Sequence, residues 1–223
     1  MTGPEARLVS LNVGQPRLTQ WKGTAVSTGI FKQPVEGHIL LRKTNLDGDR
    51  QADLSVHGGP QKAVYAYPSE HYEYWRQELP GTALPWGMFG ENFTTQGLTE
   101  PTVRIGDRFR IGSAVIMVTQ PRVPCFKLAA KFGRDDILQR FLLSGRSGFY
   151  LSVVEEGEVQ AGDRFEWLLR EDESLTVAEI NRLYVSDKRN LELLRRAAKI
   201  TALPVGWRTH FAKLMAEATG GAP

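Results

Sequence analysis

Gln120-Pro-Arg-Val-Pro-Cys-Phe-Lys-Leu128 joins two runs of different character. Upstream, Ala114-Val-Ile-Met-Val-Thr119 has the continuous apolar, β-branched pattern of a buried strand. Downstream, Phe126-Lys-Leu-Ala-Ala-Lys-Phe132 reads as a short helix. Pro121 and Pro124 fix their own φ and push the residue before each out of the helical region. The predicted strand therefore reaches Cys125, the only cysteine in the chain, by a stiff and extended path. Such a thiol is placed either to ligate or attack something, or to serve as a small buried apolar residue, and this stretch alone leaves both open.

The neighbouring sequence extends the strand-rich reading. Ala6 to Val13 alternates as a first strand, Lys22 to Lys32 reads as a half-exposed strand, and Ile39-Leu-Leu41 is a short apolar run before the turn cluster Asn45 to Asp49. Val56 to Pro60 is a second tight turn, followed by a strand over Ala63 to Tyr67. The period then changes: Ser69 is an N-cap, Tyr72, Trp75 and Leu79 share one helical face, and Pro80-Gly81 stops the helix. Gly90 to Thr94 reads as a loop, and Gly-Asp-Arg-Phe occurs at 106–109 and again at 162–165, each a turn and strand of one barrel-like sheet. Between the two, Asp135 to Leu143 is helical, Ser144 to Gly148 is a loop, and Phe149 to Val154 is a strand.

From Glu171 the apolar spacing is helical throughout. Thr176 and Glu179 form a capping box opening a helix to Tyr184. Asp187 caps a second helix with Leu191, Leu194 and Ala198 on one face, and Pro204 begins a third with Trp207, Phe211, Leu214 and Met215 as its stripe. The expected architecture is mainly β with peripheral helices: a β-barrel domain over 1–170 and a three-helix segment over 171–223.

Composition sets outer limits on function. The chain has 223 residues, 41% of them hydrophobic and 24% charged, with a net charge of +3. That balance suits an anionic small ligand and falls short of a nucleic-acid footprint; the helical segment itself carries eight basic against seven acidic residues over 171–219. No apolar run approaches the length that spans a bilayer, and no signal segment opens the chain. One cysteine forms no internal disulfide, so a cytoplasmic protein with a reduced thiol is expected.

Four loops carry polar residues with chemical potential. Asp47-Gly-Asp49 with Asp53 is a calcium-like cluster without the twelve-residue loop pattern, and Asp is also a common turn former. His57-Gly58-Gly59-Pro60 with Lys62 can converge backbone N–H groups and a cation on an anion, or be a plain tight turn. Asn92 in Gly90-Glu-Asn92 can pair with a heterocycle or brace a loop. Arg122 stands three residues before Cys125 as an oxyanion partner. The histidines and cysteine never fall at zinc spacing, and phosphate-loop and dinucleotide fingerprints are missing. A thiol hydrolase pairing Cys125 with His57 or His71 remains open at this point. So does an anionic cofactor whose soft metal takes one thiolate.

The ordered set Gly48-Asp49, Asp53, His57-Gly-Gly-Pro-x-Lys62, Gly90-Glu-Asn-Phe93, Gly106-Asp107 and Gln120-Pro-Arg-x-Pro-Cys125 resembles the MOSC domain, named after the C-terminal part of molybdenum cofactor sulfurase. Thr28 to Pro34, Tyr67-Pro-x-Glu-His71, Ser144 to Gly148 and the helical tail are similar to its YiiM branch. The resemblance implies a β-barrel with peripheral helices that binds molybdenum cofactor, with Cys125 as the metal ligand. It implies reduction of N-hydroxylated compounds, such as hydroxylaminopurine-type base analogues, to amines as a detoxification, with electrons from a flavin-containing reductase. On that basis His57 and Asp49 are expected as proton donors or substrate holders. Gly58, Gly59 and Asn92 are expected to contact the pterin, and Lys62, Arg122 and Arg146 its phosphate. The alternative of a different class is a non-catalytic carrier of the cofactor or of sulfur on Cys125.

Overall fold

The computed structural model describes residues 5–50, 52 and 58–220. Its strands are β1 (Arg7–Val13), β2 (Arg17–Trp21), β3 (Thr24–Thr28), β4 (Gln33–Val35), β5 (Ile39–Leu41), β6 (Val64–Pro68), β7 (Phe93–Gln96), β8 (Arg108–Ile111), β9 (Ala114–Pro121), β10 (Phe149–Glu155), β11 (Gly157–Val159) and β12 (Glu166–Leu169). Its α-helices are α1 (Glu70–Glu78), α2 (Phe126–Phe132), α3 (Ile137–Ser144), α4 (Val177–Val185), α5 (Leu191–Lys199) and α6 (Val205–Ala218). Eight strands make one mixed sheet in the order β12-β8-β9-β10-β6-β7-β1-β4, which curls into a half-barrel. Pairing is antiparallel except between β6 and β7. This is the mainly β fold with peripheral helices that the sequence predicts.

The two Gly-Asp-Arg-Phe units lead into neighbouring strands of that sheet: β12 pairs with β8, Trp167 opposite Phe109. Three local expectations are corrected. The span 22–32 is not one strand, because Lys22 and Gly23 adopt positive φ (50° and 77°) and turn the chain between β2 and β3. Phe93 to Gln96 is a parallel partner of β6 rather than a continued loop. Thr94 and Thr95 make that run look polar, yet both are buried, and the Thr94 hydroxyl bonds to Glu91 and Asn12. In the tail, Asn190 and not Asp187 caps α5: its Oδ1 accepts from Leu193 N, while Asp187 accepts from the Asn190 amide. The buried face of α5 is accordingly Leu193, Leu194 and Ala197.

Thr176 and Glu179 form both bonds of the predicted capping box at the start of α4. The three helices then join the barrel's own core. Val177, Ile180, Leu194, Leu203 and Phe211 pack in one cluster with Leu8, Val103, Phe109 and Ile116. Backbone bonds tie the junction as well, from Ile105 N to Leu175 O (3.0 Å) and from Val177 N to Val103 O (3.0 Å). A second, aromatic cluster lies under α1, α2 and α3, around Tyr67, Tyr72, Trp75, Phe89 and Phe141.

Candidate active site

Cys125 occupies the N-cap of α2 with extended backbone (φ −123°, ψ 167°), the conformation usual at that position. It is half-buried, and its carbonyl accepts from Leu128 N (2.9 Å). The approach segment is held from below by the sheet. Pro121 pairs with Phe149, and Arg122 N donates to Gly148 O (3.3 Å). Gly148 has φ +62°, and a Cβ there would stand 2.4 Å from the Ala66 carbonyl oxygen, so only glycine lets β10 start this close to β6.

Arg122 is buried, its guanidinium 4.8 Å from the Tyr65 ring centroid and 5.6 Å from that of Phe141. Burial works against its charge, but Tyr65, Tyr150 and Cys125 outweigh it and hold the pKa above the usual arginine value. Its Nη1 is shielded from solvent and has no hydrogen-bond partner among the described residues. Lys62 ends a single 3₁₀ turn, Pro60–Lys62, that follows Gly59 at φ 83°. Its ammonium lies 6.0 Å from the Tyr150 ring, and burial lowers its pKa against the opposing pull of Cys125.

Lys62 and Arg122 face a cavity also lined by Lys32, Arg50 and Lys127, with Tyr65, Tyr150, Asn92, Gly58 and Gly90. Among its described lining residues five are cationic and none is acidic. Such a wall concentrates positive potential in a low-dielectric recess, the setting in which an anion is held most firmly. Gly29 belongs to the same wall, and a Cβ on it would sit 2.3 Å from the Arg50 carbonyl oxygen.

Asp49 and Asn92 form the support beneath. Asp49 is buried in an ion pair with Lys32 and accepts from Gly14 N (2.8 Å) and Asn92 Nδ2 (3.0 Å). Asn92 Oδ1 accepts from Tyr65 N (3.2 Å), and its Nδ2 also donates to Asn12 O (3.2 Å). Asn92 lines the cavity and Asp49 stands behind it, both with polar atoms committed to the framework. Desolvation lowers the pKa of Lys32, opposed by Asp49.

The other predicted residues divide. Gly58 lines the cavity, and Gly59 lines a second groove beside it. Asp53 and His57 lie outside the described residues. Arg146 sits apart from the cavity lining: its guanidinium stacks 3.8 Å from the Tyr74 ring and its Nη1 donates to Ser144 O (3.1 Å). The left-handed Gly145 (φ 69°) that ends α3 directs this loop toward α1. His71 is engaged by the buried Glu100, Nε2 to Oε2 2.7 Å, and lines neither space, so it is not the base of a Cys125 dyad. Sequence reasoning missed Lys32, Tyr65, Tyr150 and Lys127. The two tyrosines read simply as strand residues, and only Lys127, two positions after Cys125, carried a positional signal.

Residues 53–166 match the MOSC domain family, and residues 175–218 match the YiiM-like three-α-helix domain. Over 206 residues, 92% of this chain and 93% of the relative, the sequence is 43% identical to the uncharacterized protein YflK of Bacillus subtilis. The chain belongs to the MOSC family. The crystal structure of YiiM from Geobacillus stearothermophilus superposes with a TM-score of 0.80 at 35% identity, covering 95% of this chain and 100% of that one. A longer protein of Gibberella moniliformis named reductase is 33% identical over 186 residues, which are 82% of this chain but 32% of its own length. The MOSC family is associated with molybdenum cofactor. No helix among the described residues of this MOSC protein is long and apolar enough to cross a membrane.

Proposed function

We propose that this MOSC protein is a molybdenum cofactor-dependent reductase of N-hydroxylated compounds, acting in the cytoplasm as a detoxifying enzyme: R–NHOH + 2 H⁺ + 2 e⁻ → R–NH₂ + H₂O. The observation that carries the reading is the cationic cavity next to the Cys125 segment, whose described lining residues include no acid. An anionic pterin phosphate fits these residues. Arg122 has a buried N–H without a partner among the described residues, and Lys62 supplies a second donor. Cys125 offers a thiol at a fixed backbone position, the soft ligand that a molybdenum centre takes from a protein. When bound, the cofactor supplies the electron pair that cleaves the N–O bond.

The chain's own residues supply position and protons. Lys62 Nζ stays with the pterin phosphate at the cavity wall. His57, two residues before the Gly59 turn, is the proton donor we assign. Asp49, bonded by Lys32, Gly14 and Asn92, positions the wall rather than delivering a proton. A flavin-containing reductase serves as electron donor. The reductase name of the fungal relative supports the reaction class, and the length that protein carries beyond the matched part leaves room for an attached donor.

The test is anaerobic turnover of 6-N-hydroxylaminopurine by holoprotein from a host that makes the cofactor, with an artificial one-electron donor and adenine as the product measured. Adenine formation lost in Cys125→Ser supports the reductase. Full pterin content without turnover overturns it in favour of a carrier.

A further inference from the structure

Helix α2 carries Cys125 at its N-cap, and one side chain in its last turn ties the helix to the cavity wall. Lys131 donates from Nζ to Ile30 O (2.9 Å) and to Gly87 O (2.5 Å). Among the described residues these are the only side-chain hydrogen bonds from 126–132 to the rest of the molecule. The helix is otherwise held by apolar contact, through the buried Leu128 and Ala129. Both carbonyls belong to strips that line the cationic cavity. Ile30 and Lys32 face it from one strip; Gly87 opens the turn that Gly90 closes (Gly90 N to Gly87 O, 2.9 Å), and Gly90 and Asn92 face it from the other. The strips touch, since a Cβ on Gly90 would stand 2.7 Å from Ile30 Cγ1. Glu91 beneath them accepts from Gly87 N (2.7 Å) and Phe89 N (3.0 Å), which fixes the turn that presents its carbonyl to the lysine. Burial works against an ammonium at this point, and Lys32 and Arg17 repel it, with Glu91 in its favour. A residue that only filled space here would be apolar.

We propose that Lys131 is the positioning residue of Cys125: by bridging Ile30 O and Gly87 O it sets where the thiol stands against the anion-binding wall. Only about 9 Å of helical rise separates the two residues, so α2 moves as one rigid piece and a clamp at one end fixes the other. Apolar contact is non-directional and leaves such a helix free to slide along its axis; two directed bonds remove that freedom. Fixed depth matters for a thiol that must meet a metal whose other ligand is held elsewhere in the same cavity. The proposal rests on the reductase reading in that this reading makes Cys125 the metal ligand. Lys131 itself touches neither cofactor nor substrate and acts through α2.

The test compares wild type with Lys131→Met, which keeps the length of the side chain and removes its donors. The first readout is the rate at which iodoacetamide alkylates Cys125, the only thiol, in the metal-free full chain. Loss of both bonds is expected to raise that rate about tenfold. The rate is followed through low urea: an increase indifferent to urea comes from motion of α2, whereas one that grows with urea comes from global unfolding. The second readout is the Mo(V) electron paramagnetic resonance signal of the holoprotein. Lys131→Met is expected to split or shift that signal while pterin content stays, because Lys62 and Arg122 are unchanged. A wild-type alkylation rate, an acceleration that grows with urea, or a wild-type signal in Lys131→Met overturns the positioning role. The two readings fail separately. Urea-independent acceleration in a protein that never acquires metal keeps the clamp and sinks the reductase. Metal and turnover in the wild type, with Lys131→Met unchanged in both readouts, sinks the clamp alone.

Discussion

Two buried regions of this molecule are built by different physics. The packing between barrel and tail is carried by apolar side chains: Leu8, Val103, Phe109 and Ile116 meet Val177, Leu194 and Phe211 in one cluster. Non-directional burial is enough there, and it fuses the three helices to the sheet. The region behind the cavity is aromatic and threaded with polar groups. Glu91, fully buried, accepts from the Tyr72 hydroxyl, Gly87 N (2.7 Å), Phe89 N (3.0 Å) and the Thr94 hydroxyl (3.0 Å). Lys131 of α2 spans to the carbonyls of Ile30 (2.9 Å) and Gly87 (2.5 Å). The difference teaches that the fold is held by area, whereas the site is held by directed bonds that fix Lys32, Arg122 and the helix of Cys125.

Substitutions can break this contrast one region at a time. The largest stability loss is expected from Phe109→Ala in the hydrocarbon core, about 4 kcal/mol, measured by urea unfolding. If helix and sheet signals separate in that variant, barrel and tail do not share one core. Next, Lys32→Ala leaves Asp49 buried without its cation and is expected to cost about 3 kcal/mol. It also loosens the cavity, so pterin content should fall with stability; a normal content would remove Lys32 from the site.

Lys131 gives a pH-dependent test. Burial pushes its pKa down to about 7 from the ordinary 10.5. Between those values the unfolded chain binds a proton that the folded chain does not, so stability rises with pH across that window; below it the full cost of burying the charge remains and no longer changes with pH. Its neutral amine still has two hydrogens for the two carbonyls. The urea midpoint is expected to rise between pH 7 and 9.5 by the equivalent of roughly 2 kcal/mol, and Lys131→Met to flatten that rise. An unchanged slope in the variant would assign the titration to another group. The smallest effect is expected from Thr176→Ala, about 1 kcal/mol from loss of the α4 cap. Hydrogen exchange should locate that loss in α4 before the sheet.

The legibility of each region follows the same division. Periodicity and turn residues revealed the hydrocarbon core: the β9 strand, the capping box at Thr176, the α6 stripe and the paired Gly-Asp-Arg-Phe turns all lie where the sequence places them. Motif order made the MOSC family and the cysteine segment legible. The support of the cavity was not legible, because it depends on contacts between distant residues. Lys32 meets Asp49 across seventeen positions, and Trp207 meets Gln120 across eighty-seven. The placement of Arg146 against Tyr74 was not legible either, because a basic residue in a glycine loop gives no sign of which way the loop turns. Asp187 misled because a capping-type residue stands three places before the true cap, and its own carboxylate bonds to Asn190.

Molybdenum and pterin content of wild type and Cys125→Ser is the measurement closest to the central claim. Both proteins are made in a host that synthesises the cofactor and purified without oxygen. Cys125→Ser should remain folded, since a half-buried N-cap thiol contributes little to either core. The account predicts near-stoichiometric molybdenum and pterin in the wild type and loss of the metal in the variant. Equal molybdenum in both, or neither metal nor pterin in the wild type, would contradict it.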